Sequence, residues 1–74
     1  MKKGSAKLRA MIRRRRFVRQ FVNGGPDVAG RQTQAALAAG LGGTEGSAAV
    51  AATRLMQQPE TQAAIRRALD LAEA

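Results

Sequence analysis

The sequence predicts an all-α fold of about four helices. Alanine makes up about half of the hydrophobic residues, tryptophan and tyrosine are absent, and the chain contains only two prolines. Alanine has the highest helix propensity of the amino acids, whereas strands favour β-branched and aromatic residues. Apolar residues also recur with helical spacing in several segments. At 74 residues the chain makes one domain, with a core near the lower limit of independent stability.

The first predicted helix covers residues 7 to 22 and follows a flexible basic tail at residues 1 to 6. Arginines occupy one arc of its helical wheel, and Arg14 intrudes on the opposite, apolar arc. Leu8 and Ile12 lie on the basic side, so either the helix bends near the arginines or these two residues meet another surface. The apolar arc comprises Ala10, Met11, Phe17, Val18, Phe21 and Val22.

Positive charge is concentrated at the start of the chain. The formal net charge is +8, and residues 1 to 23 carry nine Lys or Arg and no acidic residue. Such a block fits nucleic acid, an anionic membrane surface or an acidic protein segment. Four consecutive arginines, Arg13 to Arg16, favour a DNA or lipid role over a merely solvated face.

The segment from Asn23 to Arg31 breaks the first helix. Pro26 and Asp27 suit the first turn of a helix. The second helix is therefore expected to begin either near residue 26 or at Thr33, and Gly30 weakens the longer version.

Residues 33 to 56 are interpreted as two short alanine-rich helices joined by a glycine-rich turn. Gly40 suits the left-handed position just after the first of these helices, and Thr44 can cap the second. The first helix presents a stripe of Thr33, Ala36, Leu37 and Gly40, and the second an inner face of Ala48, Ala51, Ala52 and Leu55. Small residues on both faces let the helices approach closely, which is typical of a helix-turn-helix. An ordinary helical hairpin that reads no DNA is the alternative.

Pro59 and Glu60 mark the start of the last helix, over residues 59 to 74. Its apolar arc comprises Thr61, Ala64, Ile65, Ala68, Leu69, Leu71 and Ala72. This arc either completes the core of the domain or contacts a second copy, so residues 59 to 74 are also a candidate oligomerisation region, with Leu8 and Ile12 as further candidate contacts. The predicted core consists of Phe17, Phe21, Leu37, Leu55, Ile65 and Leu69.

The composition also argues against several functions. The chain has no Cys and no His, which removes disulfides, thiol chemistry, the usual zinc sites and the commonest general base. We therefore expect no enzymatic activity, no metal and no cofactor. The chain contains no apolar run of roughly 18 residues, as a spanning helix needs, so a cytoplasmic protein without a membrane partner is predicted.

Several segments match one family in order and approximate spacing. They are Arg16-Phe17-Val18, Phe21-Val22, Thr33 to Gly40, Ser47 to Val50, Arg54-Leu55-Met56, Pro59 and Gln62 to Ile65. Together they resemble the N-terminal DNA-binding region of phage terminase small subunits, which also occurs in phage-derived gene transfer agents. The links from Val22 to Thr33 and from Gly40 to Ser47 are longer than in the family.

The resemblance implies a non-catalytic adaptor of a viral genome-packaging motor in a bacterial host cell. Such an adaptor recognises packaging-site DNA and presents it to the large terminase subunit, which carries the ATPase and the nuclease. Members act as rings, so a homo-oligomer is expected. The alternatives are a small helix-turn-helix transcription regulator and a cationic membrane-surface peptide.

The residues expected to bind double-stranded DNA form two groups. The phosphate-binding group is Lys7, Arg9, Arg13, Arg14, Arg15, Arg16, Arg19 and Arg31. The group expected near the base edges is Thr44, Ser47, Val50, Thr53 and Arg54. Within the second group only Arg54 can make a bidentate contact to guanine, so sequence specificity should be low.

Overall fold

The computed structural model describes the backbone of residues 2–73 and the side chains of residues 6–71. Four helices account for most of the chain: α1 (Lys2–Asn23), α2 (Gln32–Ala38), α3 (Glu45–Met56) and α4 (Pro59–Glu73). Residues 2–73 contain no strand, so the predicted all-α fold of four helices is confirmed. Helix α1 packs against α4 and α2, α2 packs against α3, and α3 makes a smaller contact with α4.

Helix α1 begins at Lys2 rather than at Lys7, so residues 2–6 extend the helix instead of forming the predicted basic tail. Phe17 is fully buried, and its ring centroid lies 5.8 Å from that of Phe21. The predicted apolar arc is buried only in its second half, because Met11 is 49% exposed. The neighbouring helices therefore cover α1 only from about Phe17 onward.

Leu8 and Ile12 are solvent-exposed on this uninterrupted helix, at 57% and 40%. Neither residue packs within the domain, so both are free to meet another surface.

A compact turn, not a helical extension, joins α1 to α2. Gly25 and Gly30 adopt left-handed φ values of +93° and +76°. The Gly30 N–H donates to the carbonyl of Phe21 at 2.9 Å, which folds the turn back onto α1. Because the left-handed conformation at Gly30 cannot continue a right-handed helix, α2 begins at Gln32 and not near Pro26.

Gly40 ends α2 in the left-handed conformation, with φ of +76°, as predicted. The Gly40 N–H donates to the carbonyl of Leu37 at 3.0 Å, and the Leu41 N–H donates to that of Ala36 at 2.9 Å. This pair of bonds is the Schellman motif, which satisfies carbonyls left unpaired at a helix end. The half-buried Leu41 then packs onto the core, so the direction in which the chain leaves α2 is fixed.

Thr44 caps α3, as predicted. Its Oγ1 accepts from the Ser47 N–H at 3.2 Å, and the Ser47 Oγ accepts from the Thr44 N–H at 3.1 Å. Gly42 lies against this first turn of α3, where an added Cβ would stand 2.5 Å from the backbone nitrogen of Ala48. The turn can therefore approach α3 this closely only with glycine at position 42.

The buried residues of α2 and α3 are all alanines. Four alanines are fully buried, namely Ala35 and Ala36 of α2 and Ala48 and Ala52 of α3. The inner face predicted for α3 is correct for Ala48 and Ala52. On α2 the buried stripe is Ala35, Ala36 and Ala39, one position out of phase with the predicted stripe, so Thr33 and Leu37 are only half-buried.

Helix α4 begins at Pro59, as predicted, and buries Thr61 and Ile65. The prediction of Leu69 as a core residue is wrong, since 49% of it is exposed. The other helices cover α4 only as far as the half-buried Ala68, and Leu71 beyond it is 71% exposed. Ala72, also on the predicted arc, lies outside the described side chains.

The core itself is small. Phe17 and Ile65 belong to it, as predicted, and Phe21, Leu37 and Leu55 pack against it while remaining half-buried. Thr61 is the one buried polar residue of this core among the described side chains, and its Oγ1 has no hydrogen-bond partner within them.

Candidate nucleic-acid interface

A cleft of about 370 Å³ runs between the first half of α1 and the outer face of α3. Arg13 lines it from α1, and Ser47, Val50 and Arg54 line it from α3. These three residues of α3 are spaced i, i+3 and i+7 and therefore share one side of the helix. The fold thus brings together four of the residues predicted to contact DNA, from segments separated by more than thirty positions in the chain. We call this site the α1–α3 cleft.

The α1–α3 cleft combines charge with an apolar contact point. Arg13 and Arg54 are both exposed, and Val50, which lines the same cleft, is 52% exposed. A guanidinium carries several donors in a fixed planar fork, which suits phosphate oxygens and the O6 and N7 acceptors of guanine. A valine methyl can contact the methyl group of thymine. The cleft therefore offers phosphate binding together with limited base readout.

Two of the residues predicted near the base edges hold the helix cap instead. The Ser47 Oγ donates to the Thr44 carbonyl at 3.1 Å and accepts from the Thr44 N–H, while the Thr44 Oγ1 accepts from the Ser47 N–H. Their hydroxyl groups are thus already used within the chain. They position the start of α3, and Val50 and Arg54 remain as the side chains available to a ligand.

Thr53 and Arg31 lie away from the α1–α3 cleft. The Thr53 Oγ1 donates to the carbonyl of Ala49 at 2.9 Å, one turn earlier in α3. It also accepts from the Nε2 of Gln32 of α2 at 3.5 Å. Arg31 is exposed at the residue that precedes α2. Neither residue lines the cleft.

Arginines of α1 are divided between two sides of the helix. Lys7 and the arginines 9, 13, 15, 16 and 19 are all exposed. Successive residues of an α-helix turn by about 100°, so Arg9, Arg13 and Arg16 project on the side of the α1–α3 cleft. Arg15 and Arg19 instead line a second groove, between α1 and α4. The arginines of α1 therefore face two different surfaces of the domain.

Arg14 has a structural role. It is half-buried, and its Nη2 donates to the Oε1 of Gln58 at 3.0 Å. Its Nε is buried without a hydrogen-bond partner among the described residues. The bond attaches α1 to the link between α3 and α4, which explains why this arginine interrupts the apolar arc.

Gln58 and Leu41 were missed by the sequence pattern. Both line the α1–α3 cleft, Leu41 from the turn before α3 and Gln58 from the link after it. Gln58 could be identified only as part of a helix boundary ahead of Pro59. Its pairing with Arg14 joins residues 44 positions apart, and no local periodicity reports such a contact.

The described part of the chain contains neither a cluster of metal-ligating side chains nor a helix suited to span a membrane. Within it, no three His, Cys, Asp or Glu side chains come together as metal ligands would. Over the same residues, none of the helices combines the length and the apolar character needed to cross a bilayer.

No protein-family model, curated protein or solved structure matches the chain. The function of the cleft is therefore inferred from the chemistry and placement of its own residues.

Proposed function

We propose that the chain is a non-catalytic, DNA-binding adaptor of a viral genome-packaging motor. The observation that supports DNA binding most directly is the α1–α3 cleft, which Arg13, Arg54 and the exposed Val50 line together. The charge distribution supports it as well, because the whole positive excess lies in residues 1 to 23. Phosphate neutralisation by such a block releases counterions and provides affinity for any sequence.

The proposed binding mode separates affinity from sequence preference. Arg9, Arg13 and Arg16 contact the phosphates of double-stranded DNA from α1, and Val50 and Arg54 approach the base edges from α3. One arginine and one valine read few base pairs, so a single copy discriminates weakly. We therefore propose that the protein acts as a homo-oligomer, in which repeated weak contacts raise the effective concentration on one DNA.

The packaging role rests on the resemblance to phage terminase small subunits. In this role the adaptor works in the cytoplasm of a bacterial host and presents DNA to the large terminase subunit.

A salt-dependence experiment tests the DNA interface. The variant Arg13→Ala/Arg54→Ala should bind a double-stranded oligonucleotide of random sequence more weakly. Its slope of log affinity against log salt should be smaller by roughly 0.9 for each phosphate that the variant no longer neutralises. The matched control is Arg66→Ala/Arg67→Ala, which removes the same charge from exposed positions of α4. Equal slopes for the two double variants would place the interface elsewhere.

A second experiment tests the packaging role. A candidate large terminase subunit should co-purify with the chain, and its ATPase activity should rise when the chain and DNA are both present. The Arg13→Ala/Arg54→Ala variant should lose that stimulation while still co-purifying. Normal DNA binding without co-purification or stimulation would instead favour a helix-turn-helix transcription regulator.

A further inference from the structure

The groove between α1 and α4 is a second site, on a different side of α1 from the α1–α3 cleft. We propose that this α1–α4 groove binds an amphipathic helix of a partner protein, through apolar residues in the groove and acidic residues along its rim. This proposal does not depend on DNA binding, because the two sites share no lining residue.

The floor of the α1–α4 groove is apolar. It is formed by Met11 and Val18 of α1 and by Ala64 and Ala68 of α4, and the groove has a volume of about 410 Å³. The two alanines leave room between the helices, and Met11 is a flexible side chain that can repack around different partners. An amphipathic helix binds in such an apolar groove through its own apolar side chains at positions i, i+3, i+4 and i+7.

Exposed apolar residues extend the groove on both helices. Leu8, at 57% exposure, lies about one turn before Met11 on α1. On α4, Leu71 is 71% exposed and continues the stripe of Ala64 and Ala68. Large apolar side chains gathered at one exposed site indicate an interaction surface, whereas single exposed ones are common on any protein.

The rim of the groove is basic. Arg15 and Arg19 lie one turn apart along its α1 side, Arg14 contributes from within, and Glu60 is the one acidic residue among the lining residues. Arg15 and Arg13 project on nearly opposite sides of α1, since two residues correspond to about 200° of rotation. The positive charge at this rim is therefore separate from the charge at the α1–α3 cleft.

This charge determines which occupant fits. A second copy of the chain docking with its own α1 would bring its basic residues against the nine of residues 1 to 23, and like charges oppose such a contact. A helix with Asp or Glu beside its apolar stripe would pair with Arg15 and Arg19 instead. A lipid surface would favour a convex apolar face, whereas this floor is recessed between two helices.

An NMR titration of the whole chain tests the proposal. The probe is a synthetic helical peptide of about 18 residues with Leu at i, i+3, i+4 and i+7 and Glu at the flanking positions. Its partner peptide carries Lys in place of every Glu. The Glu peptide should shift the amide resonances of Met11, Val18, Ala64 and Ala68, and the Lys peptide should not.

Two charge-reversed variants with the same net charge complete the test. At about 0.15 M salt, Arg15→Glu/Arg19→Glu should weaken binding of the Glu peptide at least about tenfold, whereas Arg9→Glu/Arg16→Glu should change it far less. DNA affinity should show the reverse pattern. Circular dichroism of both variants checks that they remain folded.

Four results would overturn the proposal. These are binding of both peptides alike, equal weakening by the two variants, and resonance shifts confined to the α1–α3 cleft. The fourth is that Arg15→Glu/Arg19→Glu abolishes a dimer seen in sedimentation, or binding to phosphatidylserine vesicles, while leaving peptide binding intact.

Discussion

The two main helix pairs of this domain are stabilised in different ways. Between α2 and α3 the fully buried residues are alanines, and hydrogen bonds at Gly40 and Thr44 fix the turn. Between α1 and α4 the buried residues include Phe17 and Ile65. Hydrophobic stabilisation grows with the apolar area removed from water, and Phe17 and Ile65 each have a larger apolar side chain than alanine. The α2–α3 unit depends instead on close approach and backbone geometry, and it should be sensitive to enlargement rather than truncation.

The largest expected effect is on the α1–α4 side. Phe17→Ala should lower the free energy of unfolding by about 3 to 5 kcal/mol, because it leaves a cavity at a fully buried aromatic position. That is a large part of the total stability of so small a domain. Urea denaturation measures the loss. The control Leu69→Ala, at a position 49% exposed, should cost far less, and equal losses would mean that α4 also buries Leu69 in solution.

Enlarging a buried alanine is the corresponding test of the α2–α3 side. Ala36→Val should destabilise the domain by about 1 to 3 kcal/mol, since the extra methyl groups have no space between the helices. Ala38→Val places the same residue at an exposed position of the same helix and so shares its lower helix propensity. The difference between the unfolding free energies of the two variants measures the cost of enlarging the buried position. A difference near zero would show that the helices can separate at little cost.

The cap of α3 should contribute a smaller amount. Thr44→Ala removes the oxygen that accepts from the Ser47 N–H and should cost about 1 kcal/mol. Thr53→Ala, farther along α3 and exposed, should be neutral or slightly stabilising, because alanine is the better helix former. Thermal and urea unfolding of both variants measure the effect. A Thr44→Ala protein as stable as the parent would show that the turn is held by its glycines alone.

The smallest expected change is a gain. Thr61 is fully buried with no hydrogen-bond partner for its Oγ1 among the described residues, and an unsatisfied buried hydroxyl group costs free energy. Thr61→Val keeps the shape and should raise stability by up to about 1 kcal/mol, seen as a higher urea midpoint with an unchanged slope. A clear loss would mean that the hydroxyl is hydrogen-bonded in solution.

The same contrast explains what the sequence could predict. Helix order and helix ends followed from local chemistry at Gly40, Thr44 and Pro59, because capping and turn preferences act over a few residues. The phase of α2 was wrong by one position, since its alanines at 35, 36, 38 and 39 give almost no periodic signal. Leu69 was placed in the core because a helical wheel shows which residues share a face but not how far the neighbouring helix extends.

The sequence also predicted only part of the candidate site. Basic residues of α1 and the outer face of α3 were recognised from charge and spacing, whereas their meeting in the α1–α3 cleft required the fold. The separation of Arg13 from Arg15 and the structural use of Arg14 also depend on which helix covers which side of α1. The fold places Arg13 at the α1–α3 cleft, Arg14 against Gln58 and Arg15 at the α1–α4 groove.

The hydrogen bond between Arg14 and Gln58 also bears on the order of folding, because it closes a loop of 44 residues. Closing a long loop costs more chain entropy than closing a short one, whereas the Schellman motif and the capping box around the α2–α3 turn join residues only a few positions apart. We expect α2 and α3 to associate first and α1 to dock when α4 becomes available. During synthesis α1 would then emerge from the ribosome before α4, and the apolar side of α1 around Phe17 would stay incompletely covered until α4 has followed.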